Sequence, residues 1–353
     1  MNPAGRQFEL KELTGGEDFD LATFHIEAPF TQADFYADWQ RGLGREVKKY
    51  IINNINETTK ESEIVAYFQM IKYPLLLGKS YFYIPYGPVF KNSNTKEDLL
   101  VFIKQEIKKI SMAENAVFTR LDFTPVIANE ILNKVFTKSP LYTYHSSFFQ
   151  PRTEWFLNLE KSETELLADM HKNHRYSIRV AEKEKVNVEI VTENFKKYFE
   201  TFYELMAGTA ERNNFKLHPK NYYQNIFQNL SKINAHLAIA KYNEKILVID
   251  LVIIYGGVAN YVFSGSGNEE RDKMPTYLAL WKSILQAKAL GCKYYNFGGI
   301  SAENRPEKSW EGLTAFKKKW GGQEISHSDF FDLVANPFLY HLYNLRKLLK
   351  SFI

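Results

Sequence analysis

The sequence predicts a mixed α/β (α+β) protein built from two copies of one unit, in which antiparallel strands lead through a crossing helix to a parallel strand. Three observations predict this. The chain has 353 residues, enough for two domains of ordinary size. Two distant stretches repeat one order of elements: SYFYIPYGPVF, a helix and AVFTRLDF in the first half, and NYVFSGSG, a helix and CKYYNFGGI in the second. In the second half, AHLAIAKYNEKILVIDLVIIYGGVANYVFSGSG reads as a three-strand meander turning at YNEK and YGGVA.

The elements follow in order. QADFYADWQRGLG predicts a short helix closed by a glycine, and REVKKYIINNI and SEIVAYFQMIKYPLLLGKSYFYIPYGPVF predict strands. KEDLLVFIKQEIKKISMAEN is amphipathic, with Leu99, Phe102, Ile103, Ile107 and Ile110 on one helical face. After the strand AVFTRLDFTP, the segment SPLYTYHSSFFQPRTEWFLNL reads as a connection. SETELLADMHKNHRYSIRVAEKEK predicts one helix opened by a capping box, Ser162 with Glu165. Two more helices follow, in ENFKKYFETFYELMAGTAERNNF and PKNYYQNIFQNLSK. The helix after the meander has Pro275 in its first turn and Gly291 just past its end. A meander followed by a helical crossover to a parallel strand is the core of the acetyltransferase (GNAT) fold. The expected architecture is therefore two tandem GNAT-like domains.

Composition excludes several classes. Hydrophobic residues make up 45% of the chain, which provides for a sizeable core, and the net charge of +4 permits a basic patch without arguing for nucleic acid. The single cysteine, Cys292, rules out a disulfide framework, points to a reducing compartment, and reads as structural. The first twenty residues lack the pattern of a signal peptide. The most apolar run, ILVIDLVIIYGGVANYVF, is broken by Asp250, two glycines and Asn260, so it reads as strands. A soluble, cytoplasmic protein is expected. His171 and His174 lie three apart with no further ligand pattern, so no metal and no cofactor is expected.

A strand–loop–helix unit often holds a phosphate at the helix N-terminus, through a glycine-rich turn. Here the turn is NEERDKMP, with three carboxylates and no glycine. It would repel the pyrophosphate of an acyl-CoA and block its approach. An acyl donor without a pyrophosphate fits better.

Four segments then resemble, in order, the motifs of the Fem family (FemABX) of peptidoglycan interpeptide-bridge aminoacyltransferases. They are WFLNLEKSETELLADMHKNHRYSIRVAEKEKV, YELMAGTAERNNFKLHPKNYY, MPTYLALWKSILQAKALGCKYYNFGGI and GLTAFKKKWGG, spanning roughly 155–325. The first half is similar only through FTQADFYADWQ and TRLDFTP. The resemblance implies two GNAT-like domains, 1–148 and 149–325, with the first completed by the tail 326–353. No sustained heptads occur, so the chain resembles the compact, arm-less members. The implied reaction moves an amino acid from aminoacyl-tRNA to an amine on the stem peptide of a UDP-linked or lipid-linked peptidoglycan precursor. Asn296 departs from the family, which usually has Asp there. A GNAT-like N-acyltransferase using acyl-CoA and a non-catalytic binding protein are the alternative readings.

An aminoacyl ester is already activated, so such an enzyme must align the amine, remove a proton and stabilise an oxyanion. The resemblance makes Lys317 the oxyanion-stabilising cation; the run Lys317 to Lys319 also reads as a solvated basic patch. Arg212, in TAERNNF, is the expected diphosphate ligand because guanidinium binds phosphate in a bidentate way, and it reads equally as a helix-end arginine. Tyr222 is either a partner of the same group or core packing. Arg41 is the corresponding basic residue of the first domain. Asp122 ends the strand FTRLD, where a carboxylate is costly unless paired or working. It reads as the general base for the acceptor ammonium, or as a partner of Arg120 or a turn cap. Lys172, Arg175, Arg179 and Lys183 recur at helical spacing and form either a tRNA contact or a solvated face. The tail NPFLYHLYNLRKLLKSFI predicts a basic amphipathic helix that docks on the first domain or contacts a membrane surface.

Overall fold

The computed structural model describes residues 6–14, 19–25, 27–92, 97–125, 127–140, 150–301 and 310–350. The expected domain boundary at 148/149 and much of the connection before it lie outside these residues. The chain forms two compact units, Met1–Arg152 with Ser326–Ile353, and Thr153–Ile325.

The first unit opens with strand β1 (Arg6–Glu12), a single helical turn α1 (Leu21–Phe24) and helix α2 (Asp34–Gly42). Strands β2 (Val47–Asn56), β3 (Ser62–Pro74), β4 (Ser80–Ile84) and β5 (Val89–Phe90) follow. Helix α3 (Glu97–Ala113) then crosses to β6 (Ala116–Leu121), which lies parallel to β4. The predicted stripe is what packs: Leu99, Leu100, Ile103 and Ile107 are buried against Phe68, Phe82 and Leu121 of the sheet. A helix that the sequence reading lacked, α4 (Asn129–Val135), covers the same core through Leu132 and Val135.

The second unit begins with β7 (Thr153–Asn158), in the stretch read as a connection. The single helix expected next is two, α5 (Glu163–Asp169) and α6 (Lys172–Lys183). Met170 and His171 are extended, and the His171 side chain caps α6 by accepting from the Asn173 amide. The capping box of α5 forms as expected. An unexpected strand, β8 (Asn187–Val191), precedes α7 (Phe199–Asn213) and α8 (Lys220–Asn229). The meander is β9 (Asn234–Tyr242), β10 (Lys245–Tyr255) and β11 (Val258–Ser266), antiparallel throughout. Helix α9 (Pro275–Ala289) crosses to β12 (Tyr294–Gly299), parallel to β11. Helix α10 (Glu311–Lys318) and β13 (Gln323–Ser326) complete the sheet order β13-β7-β12-β11-β10-β9-β8.

The glycines of SGSG, at the end of β11, serve helix packing. A Cβ on Gly265 would lie 2.9 Å from both the Leu205 Cβ and the Met206 amide, so Gly265 admits the backbone of α7. β11 and β12 pair only from Val258/Tyr294 to Asn260/Asn296. A register shift between Leu251 and Val252 of β10 lies opposite Tyr261 and Phe263 of β11, and the local kink turns those two side chains to different faces.

The chain finally supplies β14 (Phe331–Val334), antiparallel to β6, and helix α11 (Pro337–Lys350) to the first unit. The first sheet runs β1-β2-β3-β4-β6-β14, with β5 on β3. Arg120 and Asp332 pair across β6 and β14 with two bonds of 2.7 and 2.6 Å, both side chains buried. α11 docks through Leu339, Tyr340 and Tyr343 onto Tyr81, Tyr83, Val117 and Phe118.

Candidate active site

Lys317 is carried by α10, and an aromatic cluster fixes that helix. Phe316 and Trp320 pack with His174, Tyr277 and Phe297, and the His174 Nε2 lies 3.1 Å from the Phe316 carbonyl. Burial holds the His174 imidazole down to about 4, so it is neutral and structural. The turn after α10 is pinned to β7. The Trp155 indole donates to the Gly321 carbonyl at 2.7 Å. A Cβ on Gly322 would come within 2.2 Å of the Phe156 carbonyl oxygen, so no other residue fits there. Lys317 and Lys318 form the last turn of α10 and Lys319 is its cap.

The helix settles which of the three lysines turns inward. Lys317 is buried, 5% exposed, while Lys318 and Lys319 are exposed. The solvated-run reading therefore fails for Lys317 alone. Its ammonium donates to the Gly299 carbonyl at 2.6 Å, beside Gly298 and at the edge where β11 and β12 part. Among the described residues it makes no ion pair. Burial brings it down to about 8 from its ordinary 10.5, with the Glu154 carboxylate acting weakly the other way.

Three residues that sequence reading did not place at the site shape this corner. Asn296 donates to Glu154 at 3.1 Å and to the Asn260 side chain at 3.3 Å, and accepts from the Gly298 amide at 2.8 Å. It thereby fixes the loop whose carbonyl receives Lys317. Asp250 is wholly buried and accepts from the Tyr261 hydroxyl at 3.2 Å; burial lifts its carboxyl to about 7. A lone acid inside ILVIDLVII was the available signal. Tyr261 itself stands one residue past the last paired position of β11.

Arg212 ends α7, and its guanidinium is already engaged. It donates to the Ser266 and Gly267 carbonyls (3.1 and 3.3 Å), the Asn268 side chain (2.7 Å) and the Ser266 hydroxyl (2.7 Å). A diphosphate would meet a held guanidinium, braced at the end of β11, and not a mobile surface arginine. Tyr222 is half-buried, stacked on His218 with centroids 4.1 Å apart and edge-on to Phe263 of β11. Arg212 and Tyr222 thus both meet β11, whereas Lys317 meets the end of β12 at Gly299.

The first unit holds Asp122 and Arg41. Asp122 does not pair with Arg120, which belongs to Asp332. It accepts from the Tyr86 amide at 2.7 Å and the Tyr83 hydroxyl at 3.0 Å. Burial lifts it to about 7, opposed by those hydrogen bonds and by His327. Arg41 is exposed in the last turn of α2, near Asp38 at 3.2 Å. The expected basic stripe is corrected at one position. Arg175 turns back to cap α5, donating to the Leu167, Ala168 and Met170 carbonyls, whereas Lys172, Arg179 and Lys183 are exposed. Burial raises the Cys292 thiol to about 11, which is an inert state.

The loop before α9 is mostly exposed and carries its own ion pairs. A single helical turn, Arg271–Lys273, leads into Met274, which packs in the core. Pro275 then removes the first amide of the helix. Glu269 pairs with Lys245, and Lys273 with Glu184 and Glu270.

Known proteins resemble this arrangement over nearly the whole chain. The lipid II:glycine glycyltransferase of Staphylococcus aureus (strain USA300) is 23% identical over 95% of this chain and 94% of its own. The crystal structure of FemX superposes with a TM-score of 0.80, at 21% identity, covering 95% of this chain and 99% of that one. A tandem GNAT protein from the clavulanic acid biosynthesis pathway gives 0.55 at 11% identity, covering 94% and 99%. The fold is accordingly a tandem pair of GNAT-like domains. A profile of the FemAB family matches residues 140–248 and 234–347, which is more than half of the sequence, and the chain belongs to that family.

Proposed function

We propose that the protein is an aminoacyltransferase, taking its acyl group from aminoacyl-tRNA and giving it to an amine on the stem peptide of a peptidoglycan precursor. The observation that carries this reading is Lys317, a buried ammonium bonded to a carbonyl at the open edge between β11 and β12. The family and the glycyltransferase relative support the reaction class. The glycine-free, acidic loop before α9, ending in Pro275, supports a donor without a pyrophosphate. No helix among the described residues is long and apolar enough to cross a membrane. A cytoplasmic site of action, where aminoacyl-tRNA is found, belongs to the same proposal.

In this reaction the acceptor amine, freed of its proton, attacks the ester carbonyl. A C–N bond forms and the carbonyl electron pair moves to oxygen. The tetrahedral intermediate collapses, the C–O bond to the ribose breaks, and the departing oxygen takes the proton that the attacking nitrogen sheds. Lys317 faces the oxyanion, whose charge is full only in the intermediate, so its stabilisation lowers the barrier rather than merely tightening binding. Asp122, with a proton affinity near neutrality, is assigned the amine's proton. Arg212 and Tyr222 are assigned to the acceptor's phosphate, with Arg41, and Lys172 and Arg179 to tRNA phosphates.

The experiment is incubation with charged tRNA and either a UDP-linked or a lipid-linked muropeptide, read by mass spectrometry. An acceptor heavier by one aminoacyl residue is expected. Micromolar binding of acetyl-CoA by calorimetry, with no transfer from tRNA, would replace this reading by an acyl-CoA-dependent one.

A further inference from the structure

The outer faces of α11 and of the turn between β3 and β4 are apolar and uncovered. Helix α11 buries Leu339, Tyr340 and Tyr343 against the sheet. Its opposite side carries Phe338, Leu342, Leu345 and Leu349, spaced four, three and four residues apart, which stacks them in one narrow stripe. All four are exposed, Phe338 by 72%. The turn after β3 adds Leu76 and Leu77, the latter 96% exposed. Leu77 has φ 57°, a left-handed backbone that a bulky residue rarely adopts. The neighbouring Leu75 packs into the same cluster as Leu339, Tyr340 and Tyr343, so loop tip and helix rise from one apolar base.

The charge around these leucines selects the occupant. No Asp or Glu occurs between Leu333 and Ile353, while Arg346, Lys347 and Lys350 lie there. None occurs between Ile64 and Lys96 either. The acids nearest the base of the turn, Glu46 and Glu114, are neutralised by Lys48 and Lys72. A second copy of this chain would bring one cationic helix against another. An anionic bilayer presents both the apolar interior and the opposite charge.

The geometry points to this face as a docking surface for an anionic lipid bilayer, with the α11 stripe and the Leu76–Leu77 tip inserted at the headgroup boundary and the exposed Arg346 at the phosphates. This surface is independent of the reaction proposed above.

Flotation with phosphatidylglycerol vesicles and with phosphatidylcholine vesicles tests it. The full-length protein is expected to float with the first and not the second, and to be released by salt. Leu342→Ser with Leu345→Ser should weaken flotation about tenfold or more. Leu77→Ser should weaken it by itself. These side chains are exposed, so thermal melting should be unchanged. Failure to float, equal flotation with both lipids, or flotation untouched by the leucine variants would overturn the proposal. So would a concentration-dependent dimer, seen by ultracentrifugation, that the same leucine variants dissolve. Aminoacyl transfer to a soluble acceptor should persist in these variants, which separates this test from that of the reaction.

Discussion

Among the described residues, each unit buries one lysine or arginine beside its crossover strand, and the two fare in opposite ways. In the first unit Arg120, on β6, meets Asp332 of the adjoining β14 through two short bonds. Its parallel partner β4 stays paired with it, past a register shift between Ser80 and Phe82, as far as Ile84 and Leu121. In the second unit β12 leaves β11 after Asn296, and Lys317 stands at the parting with a carbonyl for a partner. Attraction to Asp332 outweighs burial at Arg120 and raises its proton affinity further. At Lys317 burial dominates and lowers it to about 8. A buried cation given its counter-ion holds a sheet together. One that, among the described residues, has a carbonyl in place of a counter-ion gives up part of its proton affinity to burial.

The largest test removes the counter-ion. Asp332→Ala should destabilise the protein by about 3–5 kcal/mol, measured by urea unfolding, because a guanidinium is left buried and unpaired. Replacing both residues by apolar ones should recover most of that loss. An Asp332→Ala protein as stable as the wild type would end the comparison.

Lys317→Met should do the reverse, keeping stability while lowering single-turnover transfer by about 10²–10³, or roughly 2.7–4 kcal/mol. Lys318→Met and Lys319→Met should have little effect, since both side chains are exposed. Equal losses from all three would make the run a diffuse steering patch.

Proton linkage sharpens the contrast further. Lys317 has a folded value of about 8 against 10.5 unfolded, so between these pH values the unfolded chain binds the extra proton. Stability should therefore rise with pH across that window in the wild type relative to Lys317→Met. Transfer should fall above about pH 8, as the ammonium is lost, and below about pH 7, as Asp122 is protonated. Asp122→Asn should remove the acid limb and leave the alkaline one. A pH profile flat from 6 to 9 (roughly one unit either side of these two values) would count against both roles.

The smallest expected effect sets the scale for an exposed feature. Ser162→Ala, which deletes the capping box of α5, should cost about 1 kcal/mol by thermal melting and leave transfer unchanged.

Local signals were legible where one residue decides a local geometry. Pro275 and Gly291 bracket α9, and Ser162 with Glu165 opens α5. The α6 break at Met170 and His171 was not legible, because the apolar period runs on through it and a histidine is an unusual cap. β8 could have been found: Val186, Val188 and Ile190 alternate with polar residues. β7 reads as a loop because its neighbours β12 and β13 come more than a hundred residues later. At the site, Lys317 was legible by resemblance, but its burial follows from α10's placement. The hydrogen bonds that engage Arg212 and Arg175 depend on backbone carbonyls, which no sequence letter advertises.

The strand β14 has one more implication, which concerns the order of synthesis. Arg120 and Asp332 stand 212 residues apart, with the whole second unit between them. At about 5–20 residues per second, a ribosome takes roughly 10–40 s to travel from one to the other. For that time the first sheet lacks its last strand and the guanidinium has no carboxylate to receive it. The second unit, continuous in the chain, can be complete before the first one closes. A released chain truncated before Asp332 should therefore show a protease-resistant second unit and a first unit still open to cleavage.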